Sequence, residues 1–249
     1  MEIIKLSFIF GLNDIRQKYR RSYLGPWWIT IGTFILILTL SLIFSAVFRE
    51  RAENYILFLS IGLVIWRFIE SSIKDFCDCF SRESQILKQI DINKLFFIYR
   101  VLIRNLIVLF HNFLIIILII IYTANTFSLN FFLLPFGFLM IALFLFWTGC
   151  LLSILCARFK DFSEIISNLM QVLFYMTPII WSVDLLGSRY IDFVVKINPF
   201  YHLIELIRGP ILSSDYLISY LVIITINFFG LLFSNFIFTK YKDKLVYWV

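Results

Sequence analysis

The side chains best suited to catalysis are few in this sequence and badly spaced for it. His111 and His202 are far apart, and neither sits in a His-Glu-x-x-His pair that could hold zinc. Cys77 and Cys79 are separated by one residue, not by the two of a metal or redox motif, and Cys150 and Cys156 lie in an apolar run. All four read as reduced packing cysteines, and no metal site is expected. A Gly-x-Ser-x-Gly turn is absent. A phosphate-cradling loop needs Gly-Lys followed by Ser or Thr, and none of the nine glycines precedes a lysine. Any ATP used here must therefore be hydrolysed by another chain. One pairing stands out because of its surroundings: Arg67 and Glu70, three residues apart within an apolar stretch, with Lys74 four further on. On one helical face they can pair and share the cost of leaving water, or reach toward the interface. A structural or gating ion pair fits better than a substrate contact.

The elements that must position these residues are set by lipid. Hydrophobic residues form 61% of the chain and charged residues 15%, with mean hydropathy +0.92 and 30 phenylalanines. A 249-residue globule has too much surface to cover for that composition. About 20 apolar residues cross a bilayer core. Stretches of that kind run over 27–48, 55–73, 165–183 and 216–239. The uncharged 105–157 is long enough for two, parting at the polar dip 123–130. This predicts an all-α polytopic membrane protein with six transmembrane helices. Residues 184–213 are cut too often by charge and proline to cross, and read as short re-entrant helices before the last span.

Six crossings leave both termini on one side, and basic residues choose it. With the N-terminus inside, sixteen Lys and Arg flank the cytoplasmic ends and five the outside, which predicts cytoplasmic termini. The same rule explains the net charge of +6 without invoking nucleic acid. No cleavable leader is expected, since charge runs throughout residues 1–26. Ile4, Phe8, Leu12, Ile15 and Tyr19 recur at steps of four and three, predicting an amphipathic helix in the interface plane. The division is thus an interface helix in 1–26, a transmembrane domain in 27–239 and a cytoplasmic tail in 240–249.

Four segments stand in order along this frame. Arg16-Gln17-Lys18-Tyr19-Arg20-Arg21-Ser22-Tyr23-Leu24-Gly25-Pro26-Trp27-Trp28 ends the amphipathic helix at a stop-and-turn signal. Ala157-Arg158-Phe159-Lys160-Asp161 is a short charged connection, and Met176-Thr177-Pro178-Ile179 closes the fifth run. Asn198-Pro199-Phe200-Tyr201-His202-Leu203-Ile204-Glu205-Leu206-Ile207-Arg208 lies in the external segment. Together they resemble the permease subunit of bacterial polysaccharide exporters driven by ATP-binding-cassette ATPases, within the type-2 export permeases. That family carries O-antigen, capsule and teichoic acid.

The resemblance implies a homodimer in the bacterial inner membrane, joined by two copies of a separate ATPase that holds the ATP and magnesium. It implies a polysaccharide on an undecaprenyl lipid as substrate. ATPase contacts would fall on Arg16, Tyr19, Arg20, Arg21, Arg158, Lys160 and Asp161. The competing use for the Arg16–Arg21 cluster is anchoring to anionic lipid, at about 1 kcal/mol per basic residue. Pro199, His202, Glu205 and Arg208 would belong to a periplasmic gate. Sugar polymers slide on aromatic faces, so Trp27, Trp28, Tyr175 and Trp181 are candidates for the channel, while Trp147 suits an interface belt. The rivals are export of a small lipid or drug, a lipid-linked glycosyl or acyl transferase, and an ion channel or secondary transporter. The transferase needs clustered carboxylates or histidines at a membrane surface, which are absent. The last needs polar residues at mid-span or inverted repeats, and only Arg67 and Glu70 qualify.

Overall fold

The computed structural model describes residues 2–48, 52–90, 92–123, 129–183, 194–214 and 216–249. The order is α1 (Glu2–Lys18), α2 (Trp27–Phe48), α3 (Ala52–Arg82), α4 (Ser84–Gln89), α5 (Leu95–Tyr122), a 3-10 turn (Leu129–Leu133), α6 (Leu134–Arg158), α7 (Asp161–Met176), α8 (Pro199–Leu212), α9 (Leu217–Tyr241), a second 3-10 turn (Lys242–Lys244) and α10 (Leu245–Trp248).

Among the described residues five helical stretches are long and apolar enough to cross a membrane: Trp27–Phe48, Tyr55–Arg82, Leu95–Tyr122, Asn130–Arg158 and Leu217–Trp248. The sixth expected run, 165–183, is only partly helix. Pro178 disfavours helical backbone at the residue before it, and Thr177 is extended, at φ −94° and ψ 135°. α7 therefore stops at Met176 after 16 residues. Of the expected re-entrant stretch 184–213, residues 184–193 lie outside the described residues, and in the remainder residues 194–197 and α8 are helical.

α3 is the axis of the bundle. Of its apolar window 72% is buried within the chain, against 22% for α2 and 28% for α9. It is apolar around much of its circumference, and α2, α5, α6, α7 and α8 pack on it. The outer helices bury small and polar residues and expose aliphatic ones. α2 turns Thr30, Thr33, Ile37, Ser41 and Ser45 inward and leaves Ile35, Leu42 and Val47 exposed. α9 does the same with Ser219, Asn227, Gly230 and Ser234 against exposed Leu221, Phe228 and Leu232. Lipid offers no hydrophobic penalty for outward Leu or Phe, so helices associate through small residues and hydrogen bonds. The Trp147 indole shows this: it lies flat over Gly230, and its Nε1 donates to Asn227 Oδ1 at 3.0 Å. Trp147 is thus a seam residue between α6 and α9 rather than a belt residue.

The N-terminal helix forms, and the face it sets against the bundle is made of small residues with Ile15 of the apolar stripe. Ser7, Gly11 and Ile15 are buried against α5, while Ile4 and Phe8 are about half exposed. Ser7 donates to the Phe96 carbonyl at 3.2 Å, and a Cβ at Gly11 would stand 3.3 Å from the Arg100 carbonyl. Small residues let two backbones approach, and that sets the contact face. Exposed Ile4, Leu6, Phe8 and Ile9 then fall on the other side. Gly25, at φ +56°, makes the turn into α2. The tail folds back: Leu245 is buried, and the Arg158 guanidinium lies 5.3 Å from the Trp248 ring.

Candidate functional site

Two polar centres occupy opposite ends of the bundle. The first joins α1, α3 and α5. Arg100 and Arg104, one turn apart on α5, share a face. Arg100 donates to both carboxylate oxygens of Asp14 on α1, at 2.6 and 2.8 Å, and pairs with Glu83 at 3.1 Å. Arg104 pairs with Asp75 on α3 at 2.6 Å, and Asp75 also accepts from Asn105 at 3.0 Å. Arg82 reaches Asp78 at 2.8 Å, and Asp78 accepts from Ser163 at the start of α7. Four helices are thus tied by charge-assisted hydrogen bonds. Asp14, Asp75 and Glu83 were not visible as a site in the sequence. The only local signal was the four-residue step between the two arginines.

Residues of this network also line a cavity of about 850 Å³ between α1, α2, α3 and α5. Arg67, Glu70 and Lys74 all line it. They do not form the expected pair. Glu70 accepts from Lys74 at 2.6 Å, and Arg67 donates to the Thr33 hydroxyl on α2 at 2.8 Å. The four-residue step favours a Glu–Lys pair with glutamate on the N-terminal side, and Lys74 wins it. Tyr19 also lines the cavity, and partial burial raises its phenol above the ordinary value.

The remaining candidates for partner contact are exposed. Arg16, Arg20 and Arg21 face solvent at the end of α1, and among the described residues none meets a carboxylate. Arg158, Lys160 and Asp161 are exposed at the α6–α7 connection. The channel candidates split into two groups. Trp27 and Trp28 are about half exposed at the start of α2, with Trp27 6.0 Å from the His111 ring. Tyr175 and Trp181 lie at the other end, where Trp181 Nε1 donates to the Tyr175 carbonyl at 3.2 Å.

The second centre is α8. Asn198 caps it, accepting from the Phe200 amide at 3.0 Å and donating to Thr177 at 2.9 Å. Pro199 fills the first helical position, where its missing N–H costs nothing. His202 is buried between the Ser219 hydroxyl at 2.9 Å and the Lys196 carbonyl at 2.8 Å. A carbonyl only accepts, so Nε2 carries a proton there. Arg208 is 2% exposed and donates to the Pro178 carbonyl at 2.8 Å and to Glu205 at 3.3 Å. Its guanidinium carbon stands 3.9 Å from the Phe58 ring centroid, while Nε and Nη2 lack hydrogen-bond partners among the described residues. A Cβ at Gly62 would collide with Nη2. These groups are held by packing and by one another.

The family model described as ABC-2 type transporter matches residues 8–212. Two proteins of Klebsiella pneumoniae, each called O-antigen export system permease protein RfbA, are 25% identical over 246 residues, covering 92% of this chain and 93% of theirs. A Myxococcus xanthus protein of the same description is 21% identical over 192 residues, covering 75% and 72%.

Proposed function

The chain belongs to the ABC-2 type transporter family, and from that membership we propose that it is the membrane-spanning permease of an ATP-driven exporter of O-antigen-like polysaccharide carried on an undecaprenyl lipid. The observation that carries this reading is the near full-length match to O-antigen export permeases. The exporter sits in the bacterial inner membrane as a homodimer, with ATP and magnesium held by two copies of a separate ATPase. Arg16, Tyr19, Arg20, Arg21, Arg158, Lys160 and Asp161 face that ATPase in the cytoplasm. The exposure of the five cations among them, and their lack of carboxylate partners among the described residues, support this.

In this reading α7 is the fifth of six crossings. Its 16 residues span about 24 Å, and residues 177–183 complete the traverse of the roughly 30 Å core. Both termini are then cytoplasmic, and α8 closes the periplasmic end with His202, Glu205 and Arg208. Trp27 and Trp28 meet the polymer at entry and Tyr175 and Trp181 at exit. The test is deletion of this chain in its host, with surface polysaccharide and accumulated lipid-linked polymer measured together. Loss of the first with gain of the second is expected. Unchanged surface polysaccharide, or nucleotide turnover by the purified chain alone, would overturn the proposal.

A further inference from the structure

The charge pairing around the cavity between α1, α2, α3 and α5 is uneven. Each carboxylate lining it is engaged by Lys74, Arg82, Arg100 or Arg104. Arg67 and Lys18 line it too, and no carboxylate pairs with either among the described residues. Position along the helices sharpens the asymmetry. The balanced pairs gather toward the end of α3, and the deepest of them, Glu70 with Lys74, begins three residues, about 4.5 Å of rise, from Arg67, which it does not engage among the described residues. Beside that deep end is Asn112 of α5, 4% exposed, whose Oδ1 accepts from no donor among the described residues; as an acceptor it gives an anion no contact, and Arg67 and Lys18 carry the recognition. The walls there are apolar, with Ile29, Val64, Phe68 and Leu109.

A guanidinium within a membrane-crossing helix, holding one hydroxyl and no counter-ion among the described residues, is costly unless something else supplies the charge. Planar, forked guanidinium geometry suits phosphoryl oxygens. Hydrocarbon walls beside it suit the chain of an amphiphile. We propose that this cavity binds the phosphoryl headgroup of an anionic membrane lipid, with Arg67 as its deep counter-ion and Lys18 at its mouth. The inference does not rest on the export function, because the site is complete within one chain and needs neither ATPase nor polymer.

The test is native mass spectrometry of the purified full chain without ATPase, titrated with phosphatidylglycerol, a long-chain polyprenyl phosphate and phosphatidylcholine. Saturable adducts with the two anionic lipids, and none with phosphatidylcholine, are expected. Arg67→Gln should weaken binding about tenfold, the loss of one charge-assisted contact, Arg67→Lys should retain part of it, and Lys240→Gln on the remote end of α9 should match wild type. Preference between the anionic lipids identifies the source, a carrier lipid or a bulk one, and either supports the site. Should Arg67→Gln fail to fold, exposed Lys18→Gln decides, with binding weakened about threefold. Wild-type affinity in the charge variants would mean that water alone solvates Arg67. Displacement of lipid by millimolar inorganic phosphate would mean a small-anion site. Either result overturns the proposal.

Discussion

Asp14 of α1 and Arg100 of α5, 86 residues apart in sequence, meet through two hydrogen bonds of 2.6 and 2.8 Å with each side chain 15% exposed. This contact, with Gly11 set against the α5 backbone, fixes α1 on the bundle. Asp14→Ala should lower stability in detergent by about 2 kcal/mol, because among the described carboxylates Arg100 keeps Glu83 and Arg104 keeps Asp75. Thermal unfolding of Asp14→Ala, Arg100→Met and the double variant would show the coupling. Strict additivity of the two losses would mean the contact is not formed.

The exposed cations at the end of α1 have no structural work among the described residues. Arg20→Glu with Arg21→Glu should leave membrane insertion and melting temperature unchanged while releasing a co-expressed ATPase. A pull-down that still recovers the ATPase, with the permease in the membrane, would assign Arg20 and Arg21 to lipid anchoring.

Arg208 and Glu205 depend on each other because both are buried. Arg208→Ala strands a carboxylate and should cost about 3 kcal/mol. Glu205→Gln combined with Arg208→Met should cost less than Arg208→Ala alone. Gly62→Ala, which pushes a methyl into Arg208 Nη2, should cost about 1–3 kcal/mol. Chemical denaturation of the three variants checks the order, and a silent Gly62→Ala would contradict the close approach.

Whether α7 crosses decides where the C-terminus lies. Single cysteines at Ser84 and Asp243 should be labelled by an impermeant reagent only after permeabilisation, and one at Ser213, the exposed C-cap of α8, without it. Labelling of position 243 on intact cells would leave five crossings and an outward C-terminus. Positions 128 and 188, natural choices for external loops, lie outside the described residues.

Much of the architecture was legible in order because each signal was local. The uncharged 105–157 divides where the polar dip lies, with α5 ending at Tyr122 and α6 beginning at Leu134. Gly25 turns the chain at the predicted stop, and Asn198-Pro199 caps and starts α8 as the residue types demand. Exposed Arg16, Arg20, Arg21, Arg158 and Lys160 follow from their clustering in short charged segments. α7 was harder. An apolar run through Pro178 reads as one span, although the proline ends its helix early.

Sequence by itself determined that this chain must be solvated by lipid, where its helices run and that no phosphate-cradling loop is present, since composition, apolar length and short motifs are properties of neighbouring residues. Tertiary structure decided which residues meet. Arg67 turns to Thr33 and Glu70 to Lys74, Trp147 leaves the interface for Asn227, and α1 presents Ser7 and Gly11 instead of Ile4 and Phe8. In a bilayer an apolar face carries no instruction about inside and outside, because lipid and neighbouring helix are equally apolar. Close approach at small residues and the few available polar partners make that choice, and both depend on helices distant in sequence.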